Sequence, residues 1–281
     1  MTQDALIPTP TQLTYDSYLK VHEPLASQEL QSDPPQHDEM LFIIIHQVYE
    51  LWFKQILHEL NGMVVFINKD QPLPFIKSLK RVTRIFDVLV HQIDILETMT
   101  PIEFDRFRSL LNPASGFQSH QFRVAEYTLG IRDKAYLRYH ESNPLGFEAM
   151  KAAIEKPSLW DSVVAYMHRA GIEVPAEVLE RDTHEPWVLS EELAQALGAI
   201  YRNLDERYSL YTILESLLDL DQKLLLWRYR HVSMVERIIG ITRGTGGTHG
   251  VEYLSRTLSK RAFPEIWEAR QHIITKLGAP E

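Results

Sequence analysis

Residues 217–240 read LLDLDQKLLLWRYRHVSMVERIIG. Counting by threes and fours back from His231 meets Trp227, Leu224, Leu220 and Leu217, and counting forward meets Val235 and Ile238. That is the spacing of one face of an α-helix, so an imidazole sits within a continuous apolar stripe. Outward from this stretch the same period recurs almost everywhere. No segment shows sustained two-residue alternation bounded by Asn-Gly or Asp-Gly turns. The expected fold class is all-α, a single-domain helical bundle with long helices spanning residues 1–281.

Punctuation sets the expected element boundaries. Ser190 can cap a helix continuing to about Ile239, a span too long to lack a break, which Asn203 to Asp205 would supply. Helices are expected from about Asp38 to Asn68 and from about Pro74 to Thr98, forming an antiparallel hairpin. Thr100-Pro101-Ile102-Glu103 combines an N-cap, a first-turn proline and a capping-box glutamate, so a short helix should follow and end before Asn112-Pro113. Further helices are expected to about Leu129, near 145–156 and 159–170, from Val251 to Ser259, and in a last segment ending at Leu277-Gly278. Residues 172–189 read as an irregular surface insertion. Residues 1–35 read as an extended arm that docks on a partner subunit, with a short helix from Tyr15 to about Leu30.

Composition excludes several function classes. With 29 Lys+Arg against 38 Asp+Glu, the formal charge of −9 argues against binding nucleic acid or an anionic membrane surface. Without cysteine the chain has no disulfide, no Cys-ligated zinc, no iron–sulfur cluster, no thiol nucleophile and no thiolate-held haem. The longest strongly apolar run, Met40 to Ile45, is far shorter than the roughly 20 residues that cross a bilayer. The N-terminus lacks the basic and apolar regions of a signal peptide, so a soluble, cytoplasmic protein is expected.

His46 shares the character of His231, with Phe42 and Ile43 one turn before it and Tyr49, Glu50 and Phe53 after it. Either histidine taken alone can be an ordinary core residue, and the sharper reading is a ligand to an apolar cofactor. Ferritin-like Glu-x-x-His and protease His-Glu-x-x-His patterns are both absent, which leaves haem for single histidines in apolar surroundings. Arg108 lies beside Phe107 and one turn after Phe104, where its planar fork can be a surface ion pair or can clamp a substrate carboxylate. The cluster Gly244-Thr245-Gly246-Gly247-Thr248-His249-Gly250 fits neither a phosphate loop nor a dinucleotide fingerprint, and reads as a ligand-closing loop or a plain linker. Trp52, Trp227 and Tyr229 are expected to be core residues.

The segments HDEMLFIIIHQVYELWFKQIL (37–57), PASGFQSHQFR (113–123) and WRYRHVSMVERIIGITRGTGGTHG (227–250), with the Tyr15-Asp16-Ser17-Tyr18-Leu19 arm, together resemble the tryptophan 2,3-dioxygenase family. The resemblance spans nearly the whole chain. It implies a haem-dependent dioxygenase, active in the ferrous state, that adds O2 across the indole C2–C3 bond of L-tryptophan to give N-formyl-L-kynurenine. Carried over by position, it makes His231 the ligand of a non-covalent b-type haem and puts His46 in the distal pocket. Phe42 and Phe104 pack the indole, Arg108 takes the carboxylate, Thr245 with Gly244 contacts the amino-acid end, and Ser115 lies near the oxygen and haem edge. Tyr15, Tyr18 and Leu19 come from a neighbouring subunit, which implies a homotetramer with an exchanged arm. Thr248, His249, His120 and Ile93 depart from the family's usual residues and touch on substrate range. A related haem monooxygenase acting on tryptophan or a β-substituted tryptophan, or a non-catalytic haem sensor, stand as alternatives.

Overall fold

A computed structural model describes residues 13–240 and 250–274. Thirteen α-helices and four 3-10 turns, with no strand, make up its regular structure among the described residues. The all-α expectation is therefore borne out.

Two short helices, α1 (Tyr15–Leu19) and α2 (His22–Leu25), form the arm. They replace the one helix expected to reach Leu30, because Lys20 closes α1 in the left-handed region at φ 51°. The frame is built from α3 (His37–Asn68) and α4 (Pro72–Leu96), packed as the expected hairpin. The arm is tied to α3 by Glu39, whose buried carboxylate accepts hydrogen bonds from Gln31 N at 2.7 Å, Ser32 N at 3.1 Å and the Ser32 hydroxyl. A short helix, α5 (Pro101–Arg108), carries the predicted capping box, in which Thr100 N donates to Glu103 Oε2 at 2.7 Å. A 3-10 turn continues it to Leu111.

After α6 (His120–Leu129) the chain turns at Gly130, whose φ of 123° is strained for any residue with a Cβ. It continues through α7 (Pro144–Ile154), α8 (Leu159–Arg169) and the four-residue α9 (Ala176–Leu179). The predicted break separates α10 (Glu191–Arg202) from α11 (Leu204–Ile239) at Asn203, with a further non-helical residue at Arg207. The chain closes with α12 (Gly250–Ser255), shorter than expected because residues 256–259 tighten into a 3-10 turn, and α13 (Pro264–Ile274). The predicted end at Leu277-Gly278 lies outside the described residues.

One apolar core runs through these helices. It includes Ile56, Leu60 and Met63 of α3, Leu79, Val82 and Leu89 of α4, and Leu217, Leu220 and Leu224 of α11. The period read around His231 is thus the period of burial. Tyr229 breaks the expectation: it is 60% exposed, because it falls on the opposite side of α11 from Leu220 and Leu224. Among the described residues no helix is long and apolar enough to cross a membrane.

Candidate functional site

Three helices converge on a recess. From α3 come Phe42 and His46, one turn apart, with ring centroids 4.2 Å from each other. From α5 come Phe104 and Phe107, both buried, whose rings lie edge-on at 5.4 Å and reach Phe42 at 5.6 and 5.7 Å. The capping box fixes where α5 starts and hence where those rings point. Arg108 leaves the same helix partly buried beside them. The third wall is α11, with Trp227 and His231.

The charge of His46 reaches His231. His231 is held down to a pKa of about 4, first by burial and then by the charges of His46 and Arg123. His46 is also lowered, by burial, against the opposing effects of its hydrogen bond to Phe42 and the charge of Glu50. It keeps exposed surface and is nevertheless desolvated, the signature of a recess and not of an outer face. Because the Phe42 carbonyl can only accept, the 2.6 Å contact from His46 Nδ1 assigns the ring proton to Nδ1. Nε2 is then a bare acceptor.

The donor set constrains any metal. No group of three or more His, Cys, Asp or Glu side chains that could hold a metal ion stands together among the described residues. A single neutral imidazole holds iron only when a macrocycle fills the equatorial positions, which fits haem and not zinc or a non-haem centre.

The remaining predicted residues fall in different places. Ser115 is half-buried and caps the 3-10 turn Gly116–Gln118, its hydroxyl accepting from Phe117 N at 3.4 Å. No hydrogen bond or ring contact among the described residues links it to either histidine. Tyr15, Tyr18 and Leu19 are 78%, 70% and 47% exposed, and α1 buries no side chain against its own chain. Gly244, Thr245, Thr248 and His249 lie outside the described residues. Ile93 is a buried core residue of α4, and His120 opens α6. Two surface hollows beside Val178, Arg181 and Trp187 share no lining residue with the recess.

Sequence reasoning missed two features. Phe107 joins the aromatic wall, a role that its i+3 spacing from Phe104 could have suggested. A buried ionic trio was also unforeseen: Glu126 accepts from Arg123 at 2.5 Å and from Arg228 at 2.6 Å, all three side chains being buried. Arg123 and Glu126 are one turn apart in sequence, whereas Arg228 arrives from α11 and leaves no local signal.

Comparison with known proteins returns one family. The family described as Tryptophan 2,3-dioxygenase matches residues 8–190 and 189–273. A protein of that name from Caulobacter vibrioides is 46% identical, covering 92% of this chain and 97% of its own. Namesakes from Herpetosiphon aurantiacus and Bordetella pertussis are each 43% identical over 92% of this chain, covering 97% and 90% of theirs.

Proposed function

Since the chain belongs to the tryptophan 2,3-dioxygenase family, we propose that it is a haem-dependent enzyme that adds both atoms of O2 across the indole C2–C3 bond of L-tryptophan, yielding N-formyl-L-kynurenine. The observation that carries the reading is the pairing of a neutral, isolated His231 with His46 and the Phe42–Phe104–Phe107 wall in one recess.

His231 would hold the iron of haem b. Its pKa near 4 keeps the ring neutral, with a lone pair to donate, throughout the physiological range. When bound there, haem supplies the iron chemistry that lets O2 react with a closed-shell indole. The chain's own residues choose and orient that indole. Phe42 and Phe104 provide apolar faces for the bicyclic ring, and His46 Nε2 accepts the indole N–H. Arg108 binds the carboxylate in a bidentate pair, and Thr245 with Gly244 takes the ammonium end. A zwitterion buried beside an apolar ring is tolerated only when both charges have partners, so this polar end sets the requirement for a free amino acid. Ser115 borders the oxygen side. Tyr15, Tyr18 and Leu19, which bury nothing at home, complete a neighbour's site in a cytoplasmic homotetramer.

Aerobic turnover of the reduced holoprotein with L-tryptophan, followed by mass spectrometry, tests this. Gain of two oxygen atoms is expected. Gain of one, or no turnover with haem and tryptophan bound, overturns the assignment.

A further inference from the structure

A histidine that ligates a metal usually donates its other ring N–H to a carboxylate, carbonyl or water, which fixes the ring's orientation. Among the described residues no hydrogen bond reaches the His231 side chain. Rotation about the Cβ–Cγ bond of histidine is intrinsically broad, so something else must hold the plane. Trp227 lies one turn earlier on α11, its indole 5.3 Å from the His231 ring centroid with an interplanar angle of only 3°. That is an offset parallel stack, favourable for aromatic pairs in this distance range.

The indole is itself immobilised from two other helices. Phe122 of α6 lies 4.8 Å from it, Phe53 of α3 meets it edge-on at 6.2 Å and 89°, and Tyr49 stands at 6.4 Å. Trp227 is only 8% exposed and Phe53 4%. This clamp ends on His231, the imidazole that the proposed function assigns to iron.

We propose that Trp227 is a positioning residue that sets the ring plane of the axial histidine, taking by face stacking the part that a hydrogen bond usually takes. The inference rests on His231 being the haem ligand. An imidazole whose plane is set binds iron without first losing rotational freedom, so loosening it should weaken haem retention and spread the ligand orientations.

The test compares holoenzyme variants by two readouts independent of turnover: the rate of haem transfer to apomyoglobin, and the electron paramagnetic resonance g-values of the ferric cyanide complex, which follow the orientation of the axial imidazole. Trp227→Leu should release haem roughly ten- to a hundredfold faster, with shifted or broadened g-values. Trp227→Phe, which keeps a flat face, should restore both towards the parent. Phe75→Leu removes a fully buried ring of α4 that stacks on neither Trp227 nor His231, and should lower thermal stability while leaving the g-values and the release rate near the parent's. If Trp227→Leu does not fold, Trp227→Met, which fills space without a flat face, takes its place. Equal effects of the Trp227 and Phe75 variants, parental g-values in the Trp227→Leu variant, or broadly spread g-values in the parent itself would each overturn the inference. Retention of haem by His231→Ala would instead overturn the reading of the ligand.

Discussion

His46 has a carbonyl-bound Nδ1–H and a pKa pushed below its ordinary value by burial, which makes it a weak base for the very weak acid it is proposed to meet, the indole N–H. Proton transfer is efficient when the two pKa values match, and here they do not. Orientation by hydrogen bonding is therefore the expected role, and His46→Ala should retain haem and keep measurable turnover, read by product formation at saturating substrate. His231→Ala, by contrast, should lose the Soret absorbance on gel filtration, since the proposed iron ligand is gone. Arg108 offers a third comparison. Removing one partner of a buried charge pair costs about 2–5 kcal/mol, so Arg108→Ala should raise the KM for L-tryptophan by roughly 30-fold or more. Binding of tryptamine, which has no carboxylate, should be nearly unaffected; an equal loss for both ligands would remove the carboxylate from Arg108.

At the scale of elements, the junction of α6 and α11 hangs on Glu126. Burial alone pushes its carboxyl up, but the charges and hydrogen bonds of Arg123 and Arg228 outweigh this and hold it below the usual range. The unfolded chain therefore binds more protons than the native one. The contribution of the trio is fully present above about pH 4.5, the ordinary value, and is lost as pH falls through the lowered native one. Glu126→Gln leaves two buried guanidiniums sharing no carboxylate and should destabilise the fold by about 3–5 kcal/mol in denaturant unfolding. It should also abolish that part of the acid sensitivity below pH 4.5. A mutant whose stability falls with acid as steeply as the parent's would show that Glu126 is not its source. At the other junction the Thr100–Glu103 box holds α5, and with it Phe104 and Arg108, so Thr100→Ala should cost about 1 kcal/mol of stability.

At the scale of the molecule, α1 is a capped helix whose Tyr15, Tyr18 and Leu19 point into solvent, which makes sense if a second copy covers them. Deleting residues 1–20 should impair tryptophan binding far more than haem binding, as followed by titration of the Soret band. A fully active monomer would contradict the exchanged arm. Much of this architecture was legible in the chain itself. The 3.6-residue period around His231, the Thr100 capping box and the Asn203 break are local codes, written in residues that lie within a turn or two of each other. For the same reason the helices and the two lone histidines could be picked out, and the chain's relatedness to a family added the remaining roles. Other features joined residues far apart in sequence, and no local pattern can encode them. The fold alone brings His46 of α3 within electrostatic reach of His231 of α11, where its charge helps to lower His231, and adds Arg228 to a helix-local Arg123–Glu126 pair. It likewise turns Trp227 from one more core aromatic into a plate stacked at 3° on His231, since the rings that hold it there, Phe53 and Phe122, belong to other helices. Spacing along a helix determines which face a side chain occupies, but what that face meets is decided by packing among helices distant in the chain.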